Sequence, residues 1–306
     1  MIVRPKLHWL RMLFIWNGSV IRSILPQLLV VLGISLFAVW THGRIFGHAL
    51  NLTVAPFTLL GVSLAIFLGF RNSASYDRFW EGRKLWGALL NVCRSLMRQA
   101  QSIGETRPEE PRLQEWLALL AAFTHAMRHQ LRKTDPAQDL ARLLPADQCA
   151  QLAAARYRPT LILLWLGLWV AEGKRQGRYG EITAAAMDSN LNALSDILGS
   201  CERLAHTPIP YAYSVMNHRV VYLYCFLLPF ALVGEIGIMT PVMSVLVAYT
   251  FIAIEVLAQE IEEPFGVLAN DLALENMSFN VEDSLRELAG EALPPAAALP
   301  DNYTLL

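Results

Sequence analysis

Long stretches without a formal charge constrain this chain more than any other feature. The 21 positions between Arg22 and Arg44 carry none, and neither do the 26 positions between Arg44 and Arg71. From Val220 to Ile254, 35 positions hold one formal charge, Glu235. An α-helix rises about 1.5 Å per residue, so roughly 20 apolar residues cross a hydrocarbon core of about 30 Å. The first stretch is one span. The second contains another, with an apolar centre from Val54 to Phe70. The third is long enough for two, and Gly234-Glu-Ile-Gly237 with Pro241 supplies the turn between them. The expected fold is all-α: a membrane protein with four transmembrane helices in two hairpins, plus a cytosolic helical bundle.

Composition agrees and excludes other classes. Hydrophobic residues make up 54% and charged residues 17%, against about 25% charged in soluble domains. Disorder, collagen-like repeats and a disulfide-stapled mini-protein are ruled out. A net charge of -1 leaves no basic field for a phosphate backbone, so no nucleic-acid partner is expected. Cys93, Cys149, Cys201 and Cys225 lack close spacing and read as buried thiols, neither a disulfide framework nor a metal site.

Two apolar runs are too short to span. Thr160 to Ala171 has 12 residues before Glu172, which fits a buried core helix. Leu117 to Phe123 sits among Arg112, Glu115, Arg128 and Arg132. Arg4, Lys6, Arg11 and Arg22 precede the first span, and Arg71, Arg78, Arg83 and Lys84 follow the second. By the positive-inside rule both termini and the middle region face the cytoplasm, which places the chain as a multi-pass protein of the cell's inner membrane. The start lacks the long apolar run and cleavage site of a signal peptide. The expected organisation is an interfacial segment over 1–22, two spans in 23–70, a cytosolic helical domain over 71–219, two further spans in 220–258 and a cytosolic tail over 259–306.

Chemistry-bearing motifs are absent: there is no phosphate-binding glycine loop, zinc helix motif or nucleophile elbow, and neither an enzyme nor a cofactor is expected. His125 and His129 stand four apart on a helix, but no acidic third ligand is near in sequence, so they read as an ordinary surface pair. Glu262, Glu263 and Asp271 are candidate cation contacts, against the plainer reading of a solvated acidic stretch. Glu255, near the end of the fourth span, and Glu235, at the hairpin turn, can each reach water.

The second span is the most informative. Val62, Ile66 and Phe70 recur every four residues and share a helix face, while Gly61, Ser63, Ala65 and Gly69 leave the other faces small. Periodicity alone favours an ordinary lipid-facing helix. Several copies of this face around an axis would instead form an apolar constriction that gates by wetting and dewetting.

The block from Ala55 to Asn91, APFTLLGVSLAIFLGFRNSASYDRFWEGRKLWGALLN, resembles the second-span signature of the bestrophin family, in particular its bacterial members. CERLAHTPIPYAYSV, Cys201 to Val215, and EEPFGVLANDLALENM, Glu262 to Met277, extend the resemblance over nearly the whole chain. The resemblance implies a homopentameric ion channel in the lipid bilayer, with one central pore. It places the hydrophobic neck at Val62, Ile66 and Phe70 and a cytosolic aperture at Ile182. Pro264-Phe265-Gly266 is followed by Val267, Leu268, Ala269 and Asn270, so only Asp271 remains of the acidic run that clasps calcium in animal members. Calcium activation is therefore expected to be absent or weak. The neck is uncharged and selects little by charge. The resemblance to bacterial members, with Glu235 and Glu181 near the mouths, leans towards monovalent cations such as sodium; a chloride channel of the same architecture is the alternative. A secondary transporter is disfavoured because no span carries a central charge, and a membrane-anchored signalling module is the remaining rival.

Overall fold

The computed structural model describes residues 1–2, 8–12, 14–16, 18–45, 48–49, 52–293 and 305. Arg4 and Lys6 of the basic N-terminal segment and most of the Pro/Ala-rich tail lie outside them. The described residues are almost wholly helical: α1 (Trp9–Met12), α2 (Ile21–Trp40), α3 (Val54–Ser102), α4 (Pro111–Arg132), α5 (Ala137–Leu143), α6 (Ala146–Ala154), α7 (Arg158–Arg175), α8 (Glu181–His206), α9 (Tyr211–Ile236), α10 (Thr240–Glu262) and α11 (Leu274–Leu288). Between α2 and α3, β1 (Arg44–Ile45) and β2 (His48–Ala49) pair antiparallel as a minimal hairpin. Among the described residues, three helical stretches are long and apolar enough to cross a membrane: Ile21–Trp40, Val54–Ser102 and Tyr211–Glu262.

The third stretch is folded in two. A single 3₁₀ turn, Gly237–Met239, separates α9 from α10. Gly237 takes φ +51°, a left-handed setting that costs a residue with a Cβ about 1–2 kcal/mol. Thr240 donates its hydroxyl to the Gly237 carbonyl at 2.7 Å, and Pro241 occupies the first turn of α10, where its missing N–H costs nothing. Four spanning helices result: α2, the first part of α3, α9 and α10.

The chain divides into two compact units. One comprises Arg4–Phe79 and Pro208–Glu263; the other comprises Met1–Val3, Trp80–Thr207 and Pro264–Leu306. In the first, which we call the membrane unit, α2 packs on α9 and α10, and α9 packs on α10. Its core joins Ile24 and Val31 of α2, Phe57, Leu64 and Leu68 of α3, Val221, Tyr224 and Leu228 of α9, and Ala248 and Ile252 of α10.

The second, the helical-bundle unit, packs α4 against α7 and α11, and α7 against α8. Trp86, Leu89, Cys93, Leu96 and Met97 of α3 are fully or almost fully buried in it. So are Trp116, Leu120 and Phe123 of α4. The short apolar run read as a core helix is α7, which buries Ile162, Leu166, Trp169 and Val170. Cys93 and Cys201 are buried, as expected, but Cys149 is only half-buried because α6 packs through Leu152.

His125 and His129 are not a surface pair. His125 is fully buried and bonds Glu282 at 2.8 Å through Nε2, and His129 bonds Asp139 at 2.9 Å. Arg142 pairs with Glu282 through both guanidinium nitrogens, and Arg286 donates to it at 2.7 Å. Glu282 of α11 is thus the shared partner of His125 on α4, Arg142 on α5 and Arg286 on α11, contacts that periodicity along α4 alone does not show.

Candidate functional site

Val62, Ile66 and Phe70 lie on α3 with 57%, 54% and 66% of their surface exposed. The buried stripe of the same helix is Leu64, Leu68, Arg71 and Ser75. At about 100° per residue the two stripes lie on roughly opposite sides of the helix. The exposed face is apolar and uncharged, so it can form a dry constriction but offers no ligand to an ion. Of the two glycines in this stretch, Gly69 has open space where a Cβ would stand, whereas a Cβ at Gly61 would stand 2.9 Å from the Tyr224 hydroxyl oxygen. Ser63, Ala65 and Gly69 are exposed.

Ile182 is the second residue of α8 in the helical-bundle unit and is 89% exposed. Its neighbour Glu181 pairs with Lys174 Nζ at 2.9 Å. The Lys174 hydrogen bond holds the Glu181 carboxyl below its usual range, so Glu181 stays ionised but is neutralised by its partner.

Two of the three candidate cation contacts have partners within the subunit. Glu262 is buried; it accepts the Ile209 backbone N–H at 3.0 Å and stands 3.8 Å from Arg71. Asp271, also buried, accepts the Leu268 backbone N–H at 2.7 Å and so closes the turn after Pro264-Phe265-Gly266. Glu263 is exposed. Among the described residues no three His, Cys, Asp or Glu side chains stand together as a metal site.

Glu255 departs from expectation. It does not reach water but is 3% exposed, with Oε1 2.9 Å from His218 Nδ1 and 3.7 Å from Arg71 Nη1. Arg71 bridges Glu255 and Glu262, seven residues apart on α10, and Arg78 Nε donates to the Glu262 carbonyl at 3.0 Å. The membrane unit thus contains a buried ion cluster drawn from α3, α9 and α10. Sequence reading missed it because its members come from segments far apart in the chain; the one available signal was an arginine and two glutamates bordering apolar runs.

A bundle of four spanning helices, one presenting a continuous apolar face and another locked to it by buried charge, defines a multi-span α-helical membrane protein. Its relatives narrow the class. The chain matches the family described as Bacterial/Fungal Bestrophin protein over residues 1–287. A voltage-dependent anion channel-forming protein of Ralstonia nicotianae is 51% identical over 291 residues, covering 95% of each chain. One of the same description from Escherichia coli K12 is 42% identical over 303 residues, covering 99% of each. The crystal structure of a bacterial bestrophin homologue from Klebsiella pneumoniae superposes with a TM-score of 0.84 at 44% identity, covering 88% of this chain and all of that one. The chain belongs to the bacterial and fungal bestrophin family.

Proposed function

We propose that the chain is one subunit of a passive ion channel. Five copies surround an axis, Val62, Ile66 and Phe70 line its neck, and Ile182 lines a second aperture. The observation that carries this reading is the α3 face itself: three bulky apolar side chains in register, exposed and opposite the packed stripe of their helix. Ringed around an axis, such side chains leave an uncharged bore that conducts when wet and blocks when dry. The bilayer and the permeating ions are its other partners. The basic residues flanking the first two spans support cytoplasmic termini in the inner membrane.

The permeant ion on this reading is an anion. Two relatives at 51% and 42% identity are described as anion channel-forming, which displaces the expectation of sodium. The ion pair of Glu181 with Lys174 points the same way, because it cancels one of the two acids that argued for cations. Glu235, exposed at the end of α9, is the feature that still favours cations. Purified protein in planar bilayers under asymmetric NaCl separates the two. Anion passage drives the reversal potential towards the chloride equilibrium value, and cation passage drives it to the opposite sign. Ile66→Ala is expected to raise current or open time. A parental trace from Ile66→Ala would remove the neck assignment, and absence of any current from the parent would remove conduction.

A further inference from the structure

The buried ion cluster begins one residue after Phe70. We propose that Arg71 is the positioning residue of the neck, that its ion pair with Glu255 holds α3 in the rotation that presents Phe70, and that His218 makes this hold proton-sensitive. The proposal rests on the neck reading above. It names how that same site is regulated.

Arg71 and Glu255 are each 3% exposed, yet their nearest charged atoms are 3.7 Å apart rather than in hydrogen-bond contact. Arg71 Nε and Nη1 and Glu255 Oε2 are buried without a hydrogen-bond partner, as are Ser75 Oγ on α3 and Asn217 Nδ2 on α9. Buried polar groups kept only for stability are normally satisfied. A cluster with orphaned donors on α3 and an orphaned acceptor on α10 has room for a second arrangement of the same charges. Because Arg71 sits on the packed stripe and Phe70 lies about 100° around the helix, a turn of α3 about its axis swings Phe70 directly.

His218 supplies the input. Its Nδ1 contacts the same Glu255 oxygen that faces Arg71, and its side chain is 59% exposed within the subunit, two residues before the apolar run that starts at Val220. The other groups facing Glu255 are Tyr222 and Cys225 on α9. Glu262 faces Arg71, and Arg78 bonds the Glu262 carbonyl. Histidine is the one type among these that ordinarily changes charge between pH 5 and 8. A protonated His218 competes with Arg71 for Glu255, frees α3 and lets the neck widen.

Single-channel recording tests this on the full-length assembly. Open probability is expected to rise at least about fivefold, the low end of site-to-site coupling, as the bath goes from pH 8 to pH 5 on the His218 side. His218→Gln, at a half-exposed position, is expected to flatten that profile while the protein elutes as the parent assembly and keeps its reversal potential. Glu255→Gln is expected to flatten it too. A parental pH profile in His218→Gln overturns the proposal. A shifted reversal potential in that variant also overturns it, because His218 would then act on the permeating ion. If Ile66→Ala alters conduction while the His218→Gln profile stays parental, the neck stands and the positioning role falls. If Ile66→Ala changes nothing, both fall.

Discussion

The membrane unit and the helical-bundle unit solve opposite problems with the same secondary structure. In the bundle, α4 alone buries thirteen residues, among them Trp116, Leu120, Phe123 and His125, and apolar burial from water stabilises by about 1.5–3 kcal/mol per large side chain. In the spanning windows only 22–28% of residues are buried within the subunit. Leu29, Leu36, Leu59, Leu223 and Leu246 point outward. Lipid tails are as apolar as leucine, so turning those side chains inward would gain little, and association rests on packing and on polar contacts. The two units also use buried charge differently. Glu282 in the bundle is saturated by His125, Arg142 and Arg286, whereas the Arg71–Glu255 pair in the membrane unit is loose and partly unsatisfied.

The sharpest way to break this contrast is to remove the saturated carboxylate. Burial alone would raise the Glu282 pKa, but hydrogen bonds from Arg142 and His125 outweigh it and hold the carboxyl far below its usual range. Glu282→Ala leaves Arg142 and Arg286 without their carboxylate and His125 Nε2 without its partner; both guanidinium groups are partly screened by solvent, so the loss falls below the about 3–5 kcal/mol of a fully buried pair. Rapid proteolysis of the 80–207 and 264–293 segments in detergent is the expected readout; protection equal to the parent would show that the cluster contributes nothing. Because the folded-state pKa is depressed, the contribution of Glu282 is complete above the ordinary carboxylate value of about 4.3. It is lost as pH falls through the lower, folded-state value. Acid titration of the parent should therefore loosen the bundle unit, and Glu282→Gln should remove that part of the acid sensitivity.

A smaller effect sharpens the contrast from the lipid side. Val30 on α2 and Gln114 on α4 are both exposed, and a lysine at either is tolerable by exposure alone. The surrounding solvent decides the outcome. Val30→Lys places an ammonium near the middle of a span, which costs about 2.5–3.5 kcal/mol in insertion. Gln114→Lys costs within about 0.5 kcal/mol. Membrane-inserted yield should fall for the first and stay parental for the second. Equal yields would mean that α2 does not face lipid at Val30.

Features with a local cause could be read from the residues. The charge-free runs gave the spans, Gly237 and Pro241 gave the turn between α9 and α10, and the short run before Glu172 gave a buried helix rather than a span. The apolar face of Val62, Ile66 and Phe70 was visible as spacing, because a single helix decides it. Partnerships across the fold were not visible. His125 with Glu282 and Arg71 with Glu255 join helices separated by long stretches of chain, and nothing in the local pattern marks which charge meets which. An apparent absence of charge within the spans was equally misleading, since Glu255 belongs to the buried part of α10.

The least perturbing test of the contrast uses the cysteines as they stand. Burial pushes the Cys93 and Cys201 thiols up to about 12, so at neutral pH they hold roughly a thousandfold fewer thiolates than an ordinary cysteine. Cys149, half-buried with its thiol 3.6 Å from the Leu144 carbonyl, has no comparable enclosure. In the folded protein a soluble maleimide should therefore modify Cys149 first, with Cys93 and Cys201 reacting only after the bundle unit opens. Peptide mapping after brief labelling reads the order directly. Labelling of Cys93 at the Cys149 rate would show that the bundle core exchanges with solvent, which would place both units at the loose end of the comparison.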